Sequence, residues 1–234
     1  MPSQPIDWIR TLDYSPLAMR FALLPCKPLA VAKSRLAPHV GDVDRRALCR
    51  AMFHDVLECL CQAQHVDRVA VVTADPSLLD LAQRARALAV DEGHPRGLNA
   101  AVALGTALCV ENGASSVLVV LSDLPLLAAE EIDSLFADLP SGPHVRLARS
   151  HEGLGTNALL RTPPTVISTR FGGRSFFDHL AAAADAGVSH SEVDLPGLSF
   201  DIDTIDDLRE LGRAMRATRT LVEARKIGLL PAAS

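Results

Sequence analysis

The feature that most constrains the fold is an alternation between short apolar runs and longer segments with a helical period. Residues 68–73 and 116–122 are almost continuously apolar, and in the second run no polar residue alternates with the apolar ones. Such a run predicts a strand buried on both faces, as in the centre of a parallel sheet covered by helices. Residues 44–64 place apolar side chains along one helix face. The alternation therefore predicts right-handed β-α-β units and a mainly parallel sheet.

The remaining segments extend this pattern along the chain. Further strands are predicted over residues 21–24, 88–91 and 191–195, and further helices from Pro76 and over residues 97–111, 128–137, 174–186 and 204–216. Residues 145–149 and 157–161 predict a hairpin that is either inserted in the sheet or placed at its edge. We expect a single α/β domain of three α/β/α layers with a twisted sheet. Its predicted limits are residues 21–217, with an N-terminal extension at 1–20 and a C-terminal tail at 218–234. Residues 216–226 are expected to continue the last helix.

The composition excludes several classes of function. The formal net charge is −5 and no basic block is present, which argues against a nucleic-acid-binding surface. The five cysteines are an odd number without a C-x-x-C pair, so they predict buried thiols in a reducing compartment rather than a disulfide or metal framework. No apolar run reaches the ~20 residues that span a bilayer, and the N-terminus lacks the order of a secretory signal. The expected location is the cytoplasm, with no membrane partner.

The loop after the first predicted strand carries three cations within nine residues. Lys27, Lys33 and Arg35, with Ser34 between the last two, are suited to a triphosphate, because lysine supplies a point charge and arginine a bidentate fork. The glycines of a Walker A loop are missing. Composition alone does not distinguish phosphate binding from a solvated basic loop. The position after a strand favours phosphate, since ligands in open parallel sheets bind at the carboxyl ends of strands.

Three aspartates are candidate metal ligands. Asp123 follows the purest strand, where a buried carboxylate is costly unless it is paired or bound to a metal. Mg²⁺ typically takes one or two carboxylates together with phosphate oxygens. Asp201 and Asp203 form a D-x-D pair whose side chains would share one face of an extended segment. The alternatives are that Asp123 and Asp203 cap the helices that follow them.

Two glycine-containing segments are candidates for the rest of a ligand site. Gly97 and Asn99 lead into a predicted helix, where backbone amides favour an anion or a base edge. Residues 171–175 open another predicted helix and, together with residues 155–157, are suited to binding a phosphorylated acid. The candidate residues in these two stretches are Thr156, Gly172, Gly173, Arg174 and Ser175. A tight turn and a hairpin turn are the alternatives. No H-x-x-x-H pair and no G-x-S-x-G elbow is present, so neither a zinc site nor a hydrolase nucleophile is predicted.

Taken in order, these segments resemble the 2-phospho-L-lactate guanylyltransferase family of coenzyme F-420 biosynthesis. The matching stretches, which together cover about residues 21 to 210, are 25–38, 97–101, 122–125, 155–158, 171–175 and 201–204. The resemblance implies a GT-A-like fold of the nucleotide-diphospho-sugar transferase type. It also implies Mg²⁺ held by Asp123, Asp201 and Asp203, with GTP phosphates at the loop that contains Lys27, Lys33, Ser34 and Arg35. Guanine would lie near Gly97 and Asn99, and the acceptor near Thr156 and residues 172–175.

The implied reaction joins GMP to 2-phospho-L-lactate, phosphoenolpyruvate or 3-phosphoglycerate and releases pyrophosphate. A phosphate monoester is already an anion at pH 7, so Asp123, Lys33 and Arg35 would act by positioning and charge neutralisation rather than as a base. The resemblance also implies a downstream transferase that accepts the product, and a homodimer. Two other functions remain open at this stage. One is a GT-A glycosyltransferase that uses a sugar nucleotide, and the other is a non-catalytic GTP-binding regulator.

Overall fold

The computed structural model describes residues 18–231, so almost all of the predicted N-terminal extension lies outside the described residues. Seven strands form one sheet: β1 (Met19–Pro25), β2 (Arg68–Thr73), β3 (Leu88–Asp91), β4 (Ala114–Val120), β5 (His144–Arg149), β6 (Thr156–Thr162) and β7 (Ser189–Val193). Their order across the sheet is β3-β2-β1-β4-β6-β5-β7. Strands β1 to β4 pair in parallel, β6 is antiparallel to both β4 and β5, and β7 is parallel to β5. The prediction of a mainly parallel sheet is confirmed.

The predicted hairpin is inserted into the sheet rather than placed at its edge. Strand β6 lies against the central strand β4, and Leu118 is opposite Leu160 in that pairing. Six of the seven residues of β6 are buried, as expected of a strand in the interior of a sheet. Strand β7 forms the sheet edge on this side, and its five residues are exposed or only partly buried.

Eight α-helices cover the two faces of the sheet within the described residues. They are α1 (Asp42–Gln62), α2 (Pro76–Arg84), α3 (Leu98–Glu111), α4 (Ala129–Phe136), α5 (Ser175–Asp185), α6 (Pro196–Ser199), α7 (Ile205–Leu211) and α8 (Arg219–Lys226). Buried apolar residues of α3 and α5 pack in one cluster, and those of α1, α2, α4, α6, α7 and α8 pack in a second cluster. Alternate residues of β4 belong to the two clusters: Val117 packs with α3 and α5, and Leu118 packs in the cluster that contains α1 and α8. These two cores confirm the three-layer α/β/α fold.

The C-terminal segment departs from the prediction. Thr204 caps α7 and forms the expected capping box with Asp207, but the helix ends at Leu211. The tail does not continue that helix. Thr218 begins the separate helix α8, because its side chain accepts from the backbone N–H of Leu221. Helix α8 packs against α1 and adds to the same core.

All five cysteines are free thiols, and four of them are buried as predicted. Cys61 is exposed, so the prediction of burial is wrong for that residue. No helix between residues 18 and 231 has both the length and the apolar character that crossing a membrane requires.

Candidate active site

A cavity of about 490 Å³ opens where the chain leaves β1 and β4 at their carboxyl ends. This is the edge at which ligands bind in open parallel sheets. The predicted site residues that line it are Lys27, Lys33, Ser34, Arg35, Asp123, Thr156, Gly172, Gly173, Ser175, Asp201 and Asp203. Gly97, Asn99 and Arg174 are not among the residues that line the cavity. The tertiary structure therefore brings together the predicted phosphate and metal residues and all the predicted acceptor residues except Arg174. It places the predicted guanine residues Gly97 and Asn99 outside this set.

Lys33 connects the cation-rich loop to two of the aspartates. Its Nζ lies 2.5 Å from an Asp123 carboxylate oxygen and 2.6 Å from Asp203 Oδ1. Arg35 donates to the other oxygen of Asp203 at 3.0 Å, although the Arg35 side chain is 68% exposed. The side chain of Lys33 is only 12% exposed. The ammonium group of Lys33 therefore contacts two carboxylates that lie 90 and 170 positions further along the chain.

These contacts favour the charged forms of Lys33 and Asp203. Burial by itself would lower the pKa of Lys33, but the negative charges of Asp123 and Asp203 outweigh it and raise that pKa above its ordinary value. Burial likewise opposes ionisation of Asp203, and the charge of Lys33, with a smaller effect of Arg35, holds the pKa of Asp203 below its ordinary value. Lys33 and Asp203 therefore remain ionised at neutral pH.

The backbone of the cation-rich loop is held from behind by α1. Arg45 is 4% exposed, and its guanidinium donates to the carbonyl oxygens of Ala30 and Ala32. Lys33 itself has a left-handed backbone conformation, with φ 51° and ψ 46°. A residue other than glycine adopts this conformation only where its surroundings enforce it. The Arg45 contacts and the Lys33 ion pairs together supply that constraint.

Asp123 retains one oxygen without a partner. Its Oδ1 is buried and receives no hydrogen bond from any described residue, whereas Oδ2 contacts Lys33. The backbone carbonyl of Asp123 accepts from the N–H of Ile202 at 3.1 Å. This bond ties the D-x-D segment to the end of β4. A buried carboxylate oxygen that accepts no hydrogen bond is unfavourable unless a bound ligand supplies a donor or a cation to it.

The two carboxylates of the D-x-D pair face different partners. Asp201 accepts from Asn157 Nδ2 at 3.0 Å, and His151 Nδ1 lies 3.1 Å from the same carboxylate oxygen. The segment is not a strand, so the predicted common face is replaced by separate contacts for Asp201 and Asp203. Burial opposes protonation of His151, but its hydrogen bond to Asp201 raises the pKa of the imidazole above its ordinary value.

The donor set is suited to a hard divalent cation. Three carboxylates line one cavity, and Asp123 contributes an unpartnered buried oxygen. Carboxylate oxygens are the protein ligands that Mg²⁺ prefers. In the described part of the chain, however, no three acidic, histidine or cysteine side chains are already grouped around one position, and Lys33 Nζ lies between two of the aspartates. The residues fit a metal-nucleotide site in which Lys33 and a cation share the carboxylates.

The opposite wall of the cavity is built from β6 and the start of α5. Ser175 Oγ accepts from the backbone N–H of Thr156 at 2.9 Å, and Thr156 Oγ1 lies 3.1 Å from Nδ1 of His179. Gly172 and Gly173 line the cavity, and a Cβ built on either glycine would have no atom within 4 Å. The glycines thus leave open the space that two side chains would otherwise fill.

Two residues that organise the site were missed by sequence reasoning. Arg45 and His179 both occupy positions on the buried faces of their helices, at 4% and 0% exposure. Each polar residue lies three positions from an apolar residue on the same stripe, Leu48 and Phe176 respectively. A charged or imidazole group within an apolar stripe needs a polar partner when it is buried. This pattern is the sequence signal from which the roles of Arg45 and His179 could have been predicted.

Known proteins resemble the chain over most of its length. A family model described as "Guanylyl transferase CofC like" matches residues 19–229. A phosphoenolpyruvate guanylyltransferase of Sphaerobacter thermophilus is 40% identical over 190 residues, which are 81% of this chain and 91% of the relative. A 2-phospho-L-lactate guanylyltransferase of Methanothermobacter thermautotrophicus is 35% identical over 190 residues, which are 81% of this chain and 82% of the relative.

A solved structure supports the fold independently. A crystal structure from Desulfovibrio desulfuricans G20, described as that of a nucleotide-diphospho-sugar transferase, superimposes with a TM-score of 0.69. It is 17% identical and covers 88% of this chain and 94% of its own. The predicted nucleotide-diphospho-sugar transferase type of fold is confirmed. Because the family model spans nearly all of the described residues and the relatives exceed 30% identity over four fifths of the chain, the protein belongs to the CofC-like guanylyl transferase family and is a nucleotidyltransferase.

Proposed function

We propose that this protein transfers GMP from GTP to a small phosphorylated acid, with release of pyrophosphate, in coenzyme F-420 biosynthesis. The main support for this proposal is that the cation-rich loop and the three carboxylates line one cavity. Lys33 of the loop contacts two of those carboxylates, Asp123 and Asp203, directly. Phosphoenolpyruvate, 2-phospho-L-lactate and 3-phosphoglycerate are the candidate acids. Two of them are substrates in the names of the relatives above.

In the proposed reaction, a phosphate oxygen of the acid attacks the α-phosphorus of GTP. A new phosphoanhydride bond forms, the bond from the α-phosphorus to the bridging oxygen breaks, and pyrophosphate leaves with the bonding electrons. The attacking phosphate is already ionised, so no side chain has to remove a proton. Catalysis then consists of alignment and of stabilising the charge on the phosphates.

The cations of the loop supply that charge on the nucleotide side. Lys33 stays protonated beside Asp123 and Asp203, and Lys27 and Arg35 line the same cavity with exposed side chains. The role we propose for these three residues, together with Ser34, is to bind the phosphates of GTP and to stabilise the departing pyrophosphate. Asp123, Asp201 and Asp203 would hold Mg²⁺, which when bound neutralises phosphate charge.

The acid is proposed to bind on the wall formed by Thr156, Gly172, Gly173 and Ser175. In the described residues, the N–H groups of Gly172 and Gly173 donate to no other protein group. Backbone amides that precede a helix are suited to an anion. Arg174 does not line the cavity but comes directly before α5, and it is proposed to add positive charge at the entrance.

The test is a pyrophosphate-release assay with the purified protein, Mg²⁺, GTP and each acid separately. Phosphoenolpyruvate is assayed first, because the 40% identical relative is named for it. We expect release that requires both GTP and one of the acids. The phosphoanhydride product is labile, so the transferase that we propose to accept it is included to trap it. Asp123→Asn is the matched control, since it keeps the shape of the side chain, and it is expected to abolish turnover while the protein stays folded.

Other outcomes would contradict the proposal. GTP binding without release of pyrophosphate with any acid would favour a regulator, and transfer from a sugar nucleotide would favour a glycosyltransferase. A near-normal rate for Asp123→Asn would refute the proposed metal role of that residue. The homodimer and the cytoplasmic location that we also propose are tested by light scattering and by fractionation of the source cells.

A further inference from the structure

The loop before Gly172 is held by a side chain from α3. Asn99 donates from Nδ2 to the carbonyl oxygen of Phe171 at 2.8 Å, and its Oδ1 accepts from the N–H of Phe171 at 2.8 Å. Both polar atoms of the amide are therefore bonded to one backbone residue. Asn99 is an exposed residue, but this pair of bonds fixes its orientation toward the loop rather than toward the cavity.

The residue just before Phe171 is held from the other side by α5. His179 is fully buried, and its Nε2 accepts from the N–H of Arg170 at 2.8 Å. A backbone N–H can only donate, so Nε2 carries no proton and the neutral ring carries it on Nδ1, which contacts Thr156 Oγ1 at 3.1 Å. The imidazole also packs edge-on against the Phe171 ring, with centroids 4.9 Å apart.

Three hydrogen bonds from two helices thus hold two consecutive residues, and the glycines follow directly. Gly172 and Gly173 have no side chains to restrict them, and free glycine backbone loses much conformational entropy when it is ordered. Anchoring Arg170 and Phe171 reduces the freedom that remains for the glycines. We propose that Asn99 and His179 are positioning residues that hold Gly172 and Gly173 in the conformation that binds the phosphorylated acid.

This inference rests on the proposed function and changes the role of Asn99 within it. The resemblance implied that Asn99 lies at guanine, whereas its amide here is bonded to the acceptor loop. The two roles differ in the substrate they affect. A residue that reads guanine influences the KM for GTP, and a residue that shapes the acceptor loop influences the KM for the acid.

The kinetic test uses Asn99→Ala, with Asn112→Ala as the matched control. Asn112 caps the opposite end of the same helix and also donates from its amide to a backbone carbonyl, that of Leu108. Losing two hydrogen bonds predicts a rise of about tenfold in the KM for the acid in Asn99→Ala. We expect the KM for GTP, and the preference for GTP over ITP, to stay within about twofold of wild type, because the Asn99 amide is bonded to Phe171. A change of less than about twofold in Kd is smaller than the loss of one hydrogen bond produces. Asn112→Ala should leave both KM values unchanged.

A weaker preference for GTP over ITP with an unchanged KM for the acid would overturn the inference in favour of guanine recognition. Unchanged values for both substrates would also overturn it.

A second measurement needs no substrate. Hydrogen exchange of the free protein is followed for the amides of Arg170 and Phe171, which donate to His179 and Asn99 and immediately precede the glycines, in wild type and in Asn99→Ala. We expect exchange about tenfold faster in the variant, since opening of the loop no longer breaks the Asn99 bonds. Equal exchange rates would overturn the positioning role. If wild type turns over none of the three acids, the proposed function fails, and the exchange result still decides whether Asn99 holds the loop.

Discussion

His179 makes the stability of this protein sensitive to mild acid. Burial is the main reason that the pKa of the imidazole falls from 6.5 to about 4, and the positive charge of Arg161 adds to the effect. The ring accepts a hydrogen bond from Arg170, and a protonated ring could not accept it. The folded state therefore binds a proton at His179 less readily than the unfolded chain does.

The sign and size of the effect follow from linkage. Because the folded pKa lies below the unfolded value, the stabilisation is complete above pH 6.5 and is lost as the pH falls toward 4. At pH 5 an imidazole in the unfolded chain is almost fully protonated, whereas His179 in the folded protein is still mostly neutral. The free energy of unfolding should thus be about 2 kcal/mol lower at pH 5 than at pH 7.5 because of this residue alone.

The assay is urea denaturation of wild type and His179→Gln at pH 7.5 and pH 5. Glutamine keeps an oxygen that can accept from the Arg170 N–H, but it does not titrate. Other groups contribute equally to the pH dependence of both proteins. We expect wild type to lose about 2 kcal/mol more than the variant between the two pH values.

Equal losses of unfolding free energy in the two proteins would show that His179 does not titrate between these pH values in the way proposed. An NMR titration of wild type gives a second check that does not depend on whether the variant folds. The ring protons of His179 should show no midpoint between pH 6 and 7. A midpoint near 6.5 would mean that the buried ring is protonated as readily as one in water.

Two further substitutions test other parts of the site and fold. Gly197→Ala should lower the free energy of unfolding by about 1–3 kcal/mol in urea, because the new Cβ would lie 2.6 Å from the carbonyl oxygen of Leu126 and still closer to the Glu131 carboxylate; an unchanged midpoint would contradict that packing. Lys33→Ala should lower kcat/KM for GTP by roughly 100-fold, since it removes a phosphate-stabilising charge, and unchanged GTP kinetics would contradict the proposed role of Lys33.

The elements of the fold were predictable because their patterns are local. Strand β2 lies over the predicted residues 68–73, and α2 begins at the predicted Pro76. Apolar runs and helical stripes depend on neighbours within a few positions, so they can be recognised without knowing the rest of the structure. The break between α7 and α8 was not predicted, because part of what holds α8 in place is distant. Asp55 of α1 accepts from the N–H groups of Arg219 and Thr220, more than 160 positions away.

The candidate site divides in the same way. The order of strands placed Lys33, Asp123 and Asp203 at one edge of the sheet, because the carboxyl ends of parallel strands lie together. The direct contacts of Lys33 with both aspartates were not predictable, nor was the separation of Asp201 from Asp203. Those contacts depend on loop conformations that packing from several elements determines.

The fold class, the three-layer arrangement and the residue types available for phosphate and metal binding could all be inferred from the sequence alone. These follow from periodicity and from the position of each motif after a strand. Which side chains contact one another became visible only in the folded protein. The Asn99 amide, for example, is bonded to Phe171, 72 positions further along the chain. A hydrogen bond requires its atoms to lie within a few tenths of an ångström of the right distance. Local sequence patterns do not specify positions that closely, and the packing of helices on the sheet does.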